Sequence, residues 1–269
     1  MRMGTFFLVI ALAWGEPVAQ VDPAGAGSSS LPAQLERLVK AYPDLDASRC
    51  TPDLLVWKDG TSMPISPQVA GRTYDAQLAN ATIWDQLLFV YPKGWPFEIP
   101  GVNHDPGRLR CDAFFRKVYG ATAMDVERQL VRVLWPPAGQ GASVPFSSAN
   151  GAAEALRNVG EELSTLASEI QRYVNRPCGT YNWRTIAGAD RPSPHSFGIA
   201  IDFTLPKHIH RYWLWDRGKN GDEPVYPAEI LDDAAMRAIV EVFEKHGFIW
   251  GGKWYHYDLM HFEYRPELL

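Results

Sequence analysis

The sequence has no apolar run long enough to cross a bilayer as a helix; the one apolar run near its start, from about Phe6 to Ala13, is too short. Cysteine is scarce. Cys50, Cys111 and Cys178 are scattered and form no CxxC pair, which excludes a disulfide-rich scaffold and a thiolate metal site. One disulfide plus one free thiol is compatible with them, and so are buried free thiols. There is also no block of positive charge: 26 Lys and Arg stand against 31 Asp and Glu, so nucleic acid is not an expected partner. No internal repeat is visible.

What is present begins with MRMGTFFLVIALAWG, where Arg2, an apolar run and then small residues follow one another as in a secretory signal peptide. Residues 1–15 are read as that leader, which places the chain in the periplasm or cell envelope with no transmembrane anchor after cleavage. Residues 16–30 lack aromatic residues and apolar periodicity, the composition of a flexible tether. At 269 residues the chain is long enough for a catalytic domain with a companion. The segment around Pro136-Pro137 reads as a boundary, giving residues 31–135 as an N-terminal region of unassigned role, 136–145 as a linker and 146–269 as a second unit.

Local patterns predict a helix in LPAQLERLVKAY and a hairpin at Asp59-Gly60. Ile83 to Tyr91 is open between strand and helix. Met124 to Trp135 has the spacing of a helix ending before the prolines, and further helices are expected around Ala152 to Ser168 and Asp232 to His246, the latter stopped by Gly247. Strands are expected at GIAIDFTL, Phe248 to Trp250 and Trp254 to Tyr264. The fold class is therefore α+β, a small antiparallel sheet with packed helices.

Two stretches combine metal-type ligands with strand-like sequence, SPHSFGIAID (Ser193 to Asp202) and YDLMHFEYRP (Tyr257 to Pro266). Alternation puts Ala200 and Asp202 on one face and Ile199, Ile201 and Phe203 on the other, so an acid projects from a strand whose opposite face is buried. Gly198 allows the chain to turn so that His195 converges on Asp202. His261 supplies a third ligand. Two imidazoles and one carboxylate suit one tetrahedral Zn2+ per chain with the fourth position open, the catalytic rather than the structural pattern. Asp258 breaks strict alternation with His261, so it should sit at a bend before the strand, placed to act as general base.

The pattern SxHxxGxAxD followed by D/ExxH resembles the zinc D-alanyl-D-alanine carboxypeptidases, a family with vancomycin-resistance enzymes, D,D-dipeptidases and L-alanyl-D-glutamate endopeptidases. The resemblance implies a hedgehog/DD-peptidase-like fold and a peptidoglycan stem peptide as substrate. It implies His195, Asp202 and His261 as zinc ligands and Asp258 as catalytic base. Arg184, in Tyr181-Asn-Trp-Arg184, resembles the family's arginine that contacts the substrate carbonyl or carboxylate. It covers only about Tyr181 to Pro266, with NGAAEALRNVGEEL similar to the helix that commonly precedes it.

Beside these, Ser193 is read as a loop or cap hydroxyl and as a substrate hydrogen-bonding group. Glu263 is read equally as a group orienting His261 and as an ordinary sheet-face acid. His256 is a candidate partner for the site near Asp258, whereas His208, His210 and His246 are not needed. Tyr212-Trp213-Leu214-Trp215 is core packing or a cleft wall. Within the insertion Pro206 to Pro227, Lys207, Arg211, Arg217 and Lys219 are candidates for binding an anionic substrate end. The expected activity is D-alanyl-D-alanine carboxypeptidase. L-alanyl-D-glutamate endopeptidase, a non-catalytic zinc-containing cell-wall binding module and a zinc amidase or esterase are the alternatives.

Overall fold

The computed structural model describes residues 31–186, 191–220 and 223–269. The expected leader and tether, residues 1–30, lie outside the described residues. The class is α+β, with short helices around small antiparallel sheets. Helix α1 (Ala33–Ala41) buries Leu35, Leu38 and Val39, the spacing of an amphipathic helix. Asp59-Gly60 closes the expected hairpin between β1 (Leu54–Val56) and β2 (Ser62–Pro64), where Gly60 takes a φ of +86°. Ile83 to Tyr91 is a one-turn helix running into a loop. Both α2 (Tyr74–Ala79) and this α3 (Ile83–Gln86) start at a threonine hydroxyl that accepts an otherwise unpaired backbone amide.

After α4 (Asp112–Tyr119), the helix expected over Met124 to Trp135 is corrected to a short α5 (Ala123–Glu127) followed by β3 (Leu130–Leu134). The reason is tertiary. Val131 and Val133 pair with Phe146 and Val144 of β4 (Ser143–Ser147), and Val133 is fully buried there. Of residues 136–145, expected as a linker, 136–142 form the turn of this hairpin and 143–145 begin β4, and Leu31–Leu269 makes one compact unit. Trp135 ties the turn into the core: it packs on Phe203 at 5.5 Å between ring centres, and its Nε1 donates to Val174 O at 2.8 Å.

The expected helix from Ala152 is likewise divided, into α6 (Ala152–Leu163) and α7 (Ser168–Val174), because the Ser164 and Thr165 hydroxyls bond back to the Glu161 and Glu162 carbonyls. The main sheet runs β5 (Pro177–Gly179), β6 (Ala200–Phe203), β8 (His261–Tyr264), β7 (Phe248–Trp250), all antiparallel. Helix α8 (Trp213–Asn220) lies between β6 and α9 (Ala234–Lys245) in sequence. Asp233 caps α9, its Oδ1 accepting from Ala235 and Met236, and Gly247 follows it at a φ of +88°, as its stop signal requires. The strand expected from Trp254 is shortened to His261–Tyr264, because Asp258 N bonds to Gly251 O at 3.0 Å and folds the preceding residues into turns.

One face of this sheet is apolar, carrying Ile201, Phe203 and Phe262; Phe203 and Phe262 pack against α9, with Phe262 stacked 3.9 Å from Phe243. The other carries Ala200, Asp202, His261 and Glu263. Residues from before β3 back this polar face. Tyr42 OH and Gln86 Nε2 donate to Glu267, Gly107 O accepts from Arg265, and Arg110 lies 3.9 Å from Glu263. The N-terminal region is thus part of the site's scaffold. Cys50, Cys111 and Cys178 are all free. No described helix is long and apolar enough to cross a membrane.

Candidate metal centre

Asp202 and His261 are direct partners across the β6–β8 pairing, so the sheet itself brings their side chains together. His195 comes from a single 3₁₀ turn, Pro194–Phe197. Ser193 opens this turn, its Oγ accepting from His195 N at 3.4 Å, and Gly198 closes it at a φ of +65°. A Cβ on Gly198 would lie 2.7 Å from Leu130 Cδ2, so both the backbone angle and the space select glycine. The turn delivers His195 Nε2 to 3.1 Å from Asp202 Oδ2, while His261 Nδ1 lies 2.8 Å from Asp202 Oδ1. Taking one ligand atom from each of the three residues, all lie within 4.8 Å of one another.

Both imidazoles are oriented from behind. His195 Nδ1 is 3.0 Å from Thr180 O, a carbonyl that only accepts, so Thr180 fixes the ring with Nε2 turned toward Asp202. His261 Nε2 is 3.4 Å from Glu263 Oε2, leaving Nδ1 to face the cluster. Of the two readings of Glu263, its contacts support the orienting one. Sequence reasoning missed Ser196: its Oγ donates to Arg184 O at 2.6 Å and accepts from Arg184 N at 3.0 Å, stitching the His195 turn to the segment holding Arg184. A lone serine inside a motif gives no local signal of such a role.

The electrostatics favour a cation among these groups. Burial would raise the Asp202 carboxyl, yet hydrogen bonds from His195 and His261 hold it well below the usual carboxylate range. Burial would lower His261, but Asp202 and Glu263 outweigh it and push the imidazole up to about 10. Two imidazoles and a carboxylate that together stabilise positive charge are a donor set for a divalent transition metal.

Asp258 sits at the expected bend, bridged to Tyr212 and three residues before β8. Burial raises its carboxyl to about 6, with Asp202 adding to the rise and His261 and Arg108 opposing it. Its Oδ1 is buried without a hydrogen-bond partner. Such an oxygen is available to a ligand or a water.

Other candidates separate. Arg184 is exposed, and among the described residues its guanidinium meets only Thr185 O at 3.4 Å. Ser193, 3% exposed, serves as the cap of the His195 turn, the simpler of its two readings. His256 is corrected: it bonds to Asp105 Oδ2 at 2.6 Å rather than to Asp258. His208 pairs with Asp233 and His246 with Glu162, and His210 packs against Trp215. In the aromatic run, Trp213 is buried, Tyr212 bridges to Asp258, and Leu214 and Trp215 are exposed. The insertion's cations are largely engaged: Arg211 pairs with Asp216 and Glu229, Lys219 with Asp216, and Arg217 lies over Trp213.

Residues 187–264 match the D-alanyl-D-alanine carboxypeptidase family model. That segment contains His195, Asp202, Asp258 and His261, so the match and the cluster coincide. It supports a peptidase similar to this family over those residues, in agreement with the motif resemblance. No curated protein and no solved structure matches the chain at a significant level.

Proposed function

We propose that this chain is an exported zinc peptidase that hydrolyses peptide bonds in peptidoglycan stem peptides, releasing a terminal D-alanine. The observation that carries the reading is the convergence of His195, Asp202 and His261 beside a buried, unpartnered Asp258 oxygen. His195 Nε2, an Asp202 oxygen and His261 Nδ1 would hold the ion, with Thr180 O and Glu263 fixing the two rings. When bound, zinc polarises a substrate carbonyl and lowers the pKa of water to about 7.

The protein's own groups then divide the work. Asp258, with a carboxyl near 6, is ionised at neutral pH yet basic enough to take a proton from the attacking water and pass it to the leaving amine. Arg184, exposed and without an ion pair among the described residues, would meet the carbonyl oxygen as charge develops on it. A purely structural metal module has no need of an acid held in this state, which favours an enzyme over a binding module. The leader-like residues 1–15 support delivery to the periplasm or cell envelope, where this substrate lies.

Metal analysis combined with turnover tests the proposal. Purified protein should hold one zinc per chain, His195→Ala and His261→Ala should lose it, and only the loaded protein should release D-alanine from pentapeptide muropeptides. Near-stoichiometric zinc in the doubly substituted protein would remove the assigned ligand set.

A further inference from the structure

A carboxypeptidase must recognise the charged end beyond the bond it cuts, and of the insertion cations first suspected of this, Arg211, Arg217 and Lys219 are engaged elsewhere. The N-terminal region supplies another. Residues 104–108 run against residues 254–256: Tyr255 N donates to His104 O at 3.1 Å, Trp254 Nε1 to Pro106 O at 2.6 Å and His256 N to Asp105 Oδ1 at 2.9 Å. Arg108 ends this segment. Its Nη1 donates to His256 O at 3.0 Å, and its guanidinium lies 5.7 Å from the centre of the Trp254 ring, which is itself 5.6 Å from the His261 ring.

Arg108 forms no ion pair among the described residues, and the nearby Asp105 carboxylate is already bonded to Tyr74 and His256. Its charge acts on both Asp258 and Tyr212, two groups at the edge of the cluster. Adjacent Cα atoms are roughly 4 Å apart, so a carboxylate one residue beyond a bond at the cluster falls within reach of a cation placed one aromatic ring from His261.

We propose that Arg108 binds the carboxylate of the residue on the leaving side of the scissile bond, leaving Arg184 to the carbonyl oxygen. The stacked, tethered guanidinium presents its remaining N–H donors as a fork suited to a carboxylate. The ligand chemistry is a backbone carboxylate one residue from the bond, as on a terminal D-alanine or on a D-glutamate joined through its side chain. This assignment rests on the peptidase reading above, and it gives residues 31–135 a part in substrate choice.

The test compares an acyl-D-Ala-D-Ala peptide with its C-terminal amide, and an L-Ala-D-Glu peptide with its α-amide, using zinc-loaded wild type, R108Q, R108M and R108K. R108M keeps an unbranched stem over Trp254 while removing the charge. On whichever peptide is cleaved, wild type should prefer the acid, and R108Q and R108M should lose about 10- to 100-fold of that preference in kcat/KM with zinc content unchanged. R108K should retain part of it. The peptide cleaved identifies the source of the carboxylate. A charge-free variant that keeps the wild-type acid-to-amide ratio overturns the assignment. If wild type cleaves neither peptide, the peptidase reading fails on its own, and calorimetric titration of the same acids and amides still decides Arg108. Binding of an acid in preference to its amide, lost in R108M, supports the assignment; equal binding of acid and amide to wild type overturns it.

Discussion

Replacing Glu263 by glutamine should destabilise the fold and weaken metal binding together, because one buried carboxylate serves both. Glu263 is fully buried, with Arg265 Nη1 at 3.1 Å, Arg110 Nη1 at 3.9 Å and His261 Nε2 at 3.4 Å. Glutamine keeps the volume and removes the charge. Arg265 would still have Glu267 at 2.7 Å, whereas Arg110 would be left with the Pro192 carbonyl at 3.1 Å and the more distant Asp112. An uncompensated buried charge costs about 3–5 kcal/mol, and partial compensation places E263Q near the lower end. For a unit of this size, about 3 kcal/mol lowers Tm by about 6–12 °C.

Burial alone would raise the Glu263 carboxyl, but Arg110, His261 and Arg265 bring it down to about 2. A depressed folded-state pKa contributes stability above the unfolded value of about 4.3, and that stability is lost as pH falls toward 2. The Tm gap between wild type and E263Q should therefore be full at pH 7, begin to narrow below about pH 4 and close as pH approaches about 2. Calorimetry of metal-free protein measures it, and zinc affinity of the same pair should differ by about 10- to 100-fold. A wild-type Tm and zinc affinity in E263Q at neutral pH would refute the reasoning; the double variant R110M/E263Q recovering stability would strengthen it.

Asp258→Ala should retain stoichiometric zinc and lose roughly two to four orders of magnitude in kcat, measured on the loaded protein. The wild-type pH profile of kcat/KM should rise through an acidic limb at or below about 6, since burial sets that upper position and a bound cation lowers it further. A limb well above 6 would mean that another group acts as base. Gly198→Ala should cost about 1–3 kcal/mol and weaken zinc retention, because a Cβ there meets Leu130 at 2.7 Å in a backbone conformation of positive φ; thermal melts and metal analysis report both.

The cluster of His195, Asp202 and His261 was legible in the sequence because its signal is local: alternation places Asp202 on a strand with a buried back, Gly198 marks a tight turn, and Asp258 breaks alternation just before His261. The cross-strand pairing of Asp202 with His261 then follows from packing two such strands side by side. Met124 to Trp135 misled because its apolar spacing suits a helix, while the partner that makes it a strand, β4, lies beyond a proline-rich turn. The same turn looked like a domain boundary, since proline and glycine mark hairpin ends and linkers alike. Least legible were Arg108 and Arg110. Their contacts, to Trp254 and His256 before the last strand and to Glu263 within it, join segments some 150 residues apart, and no periodicity within either segment encodes them.

The most direct test is mass spectrometry of pentapeptide muropeptides incubated with zinc-loaded protein, with chelator, and with chelator followed by added zinc. The expected result is loss of one terminal alanine, abolished by chelator and restored by zinc. Intact muropeptides after incubation with fully zinc-loaded protein, or cleavage indifferent to the chelator, would contradict the assignment of His195, Asp202, His261 and Asp258 to a metal-dependent peptidase.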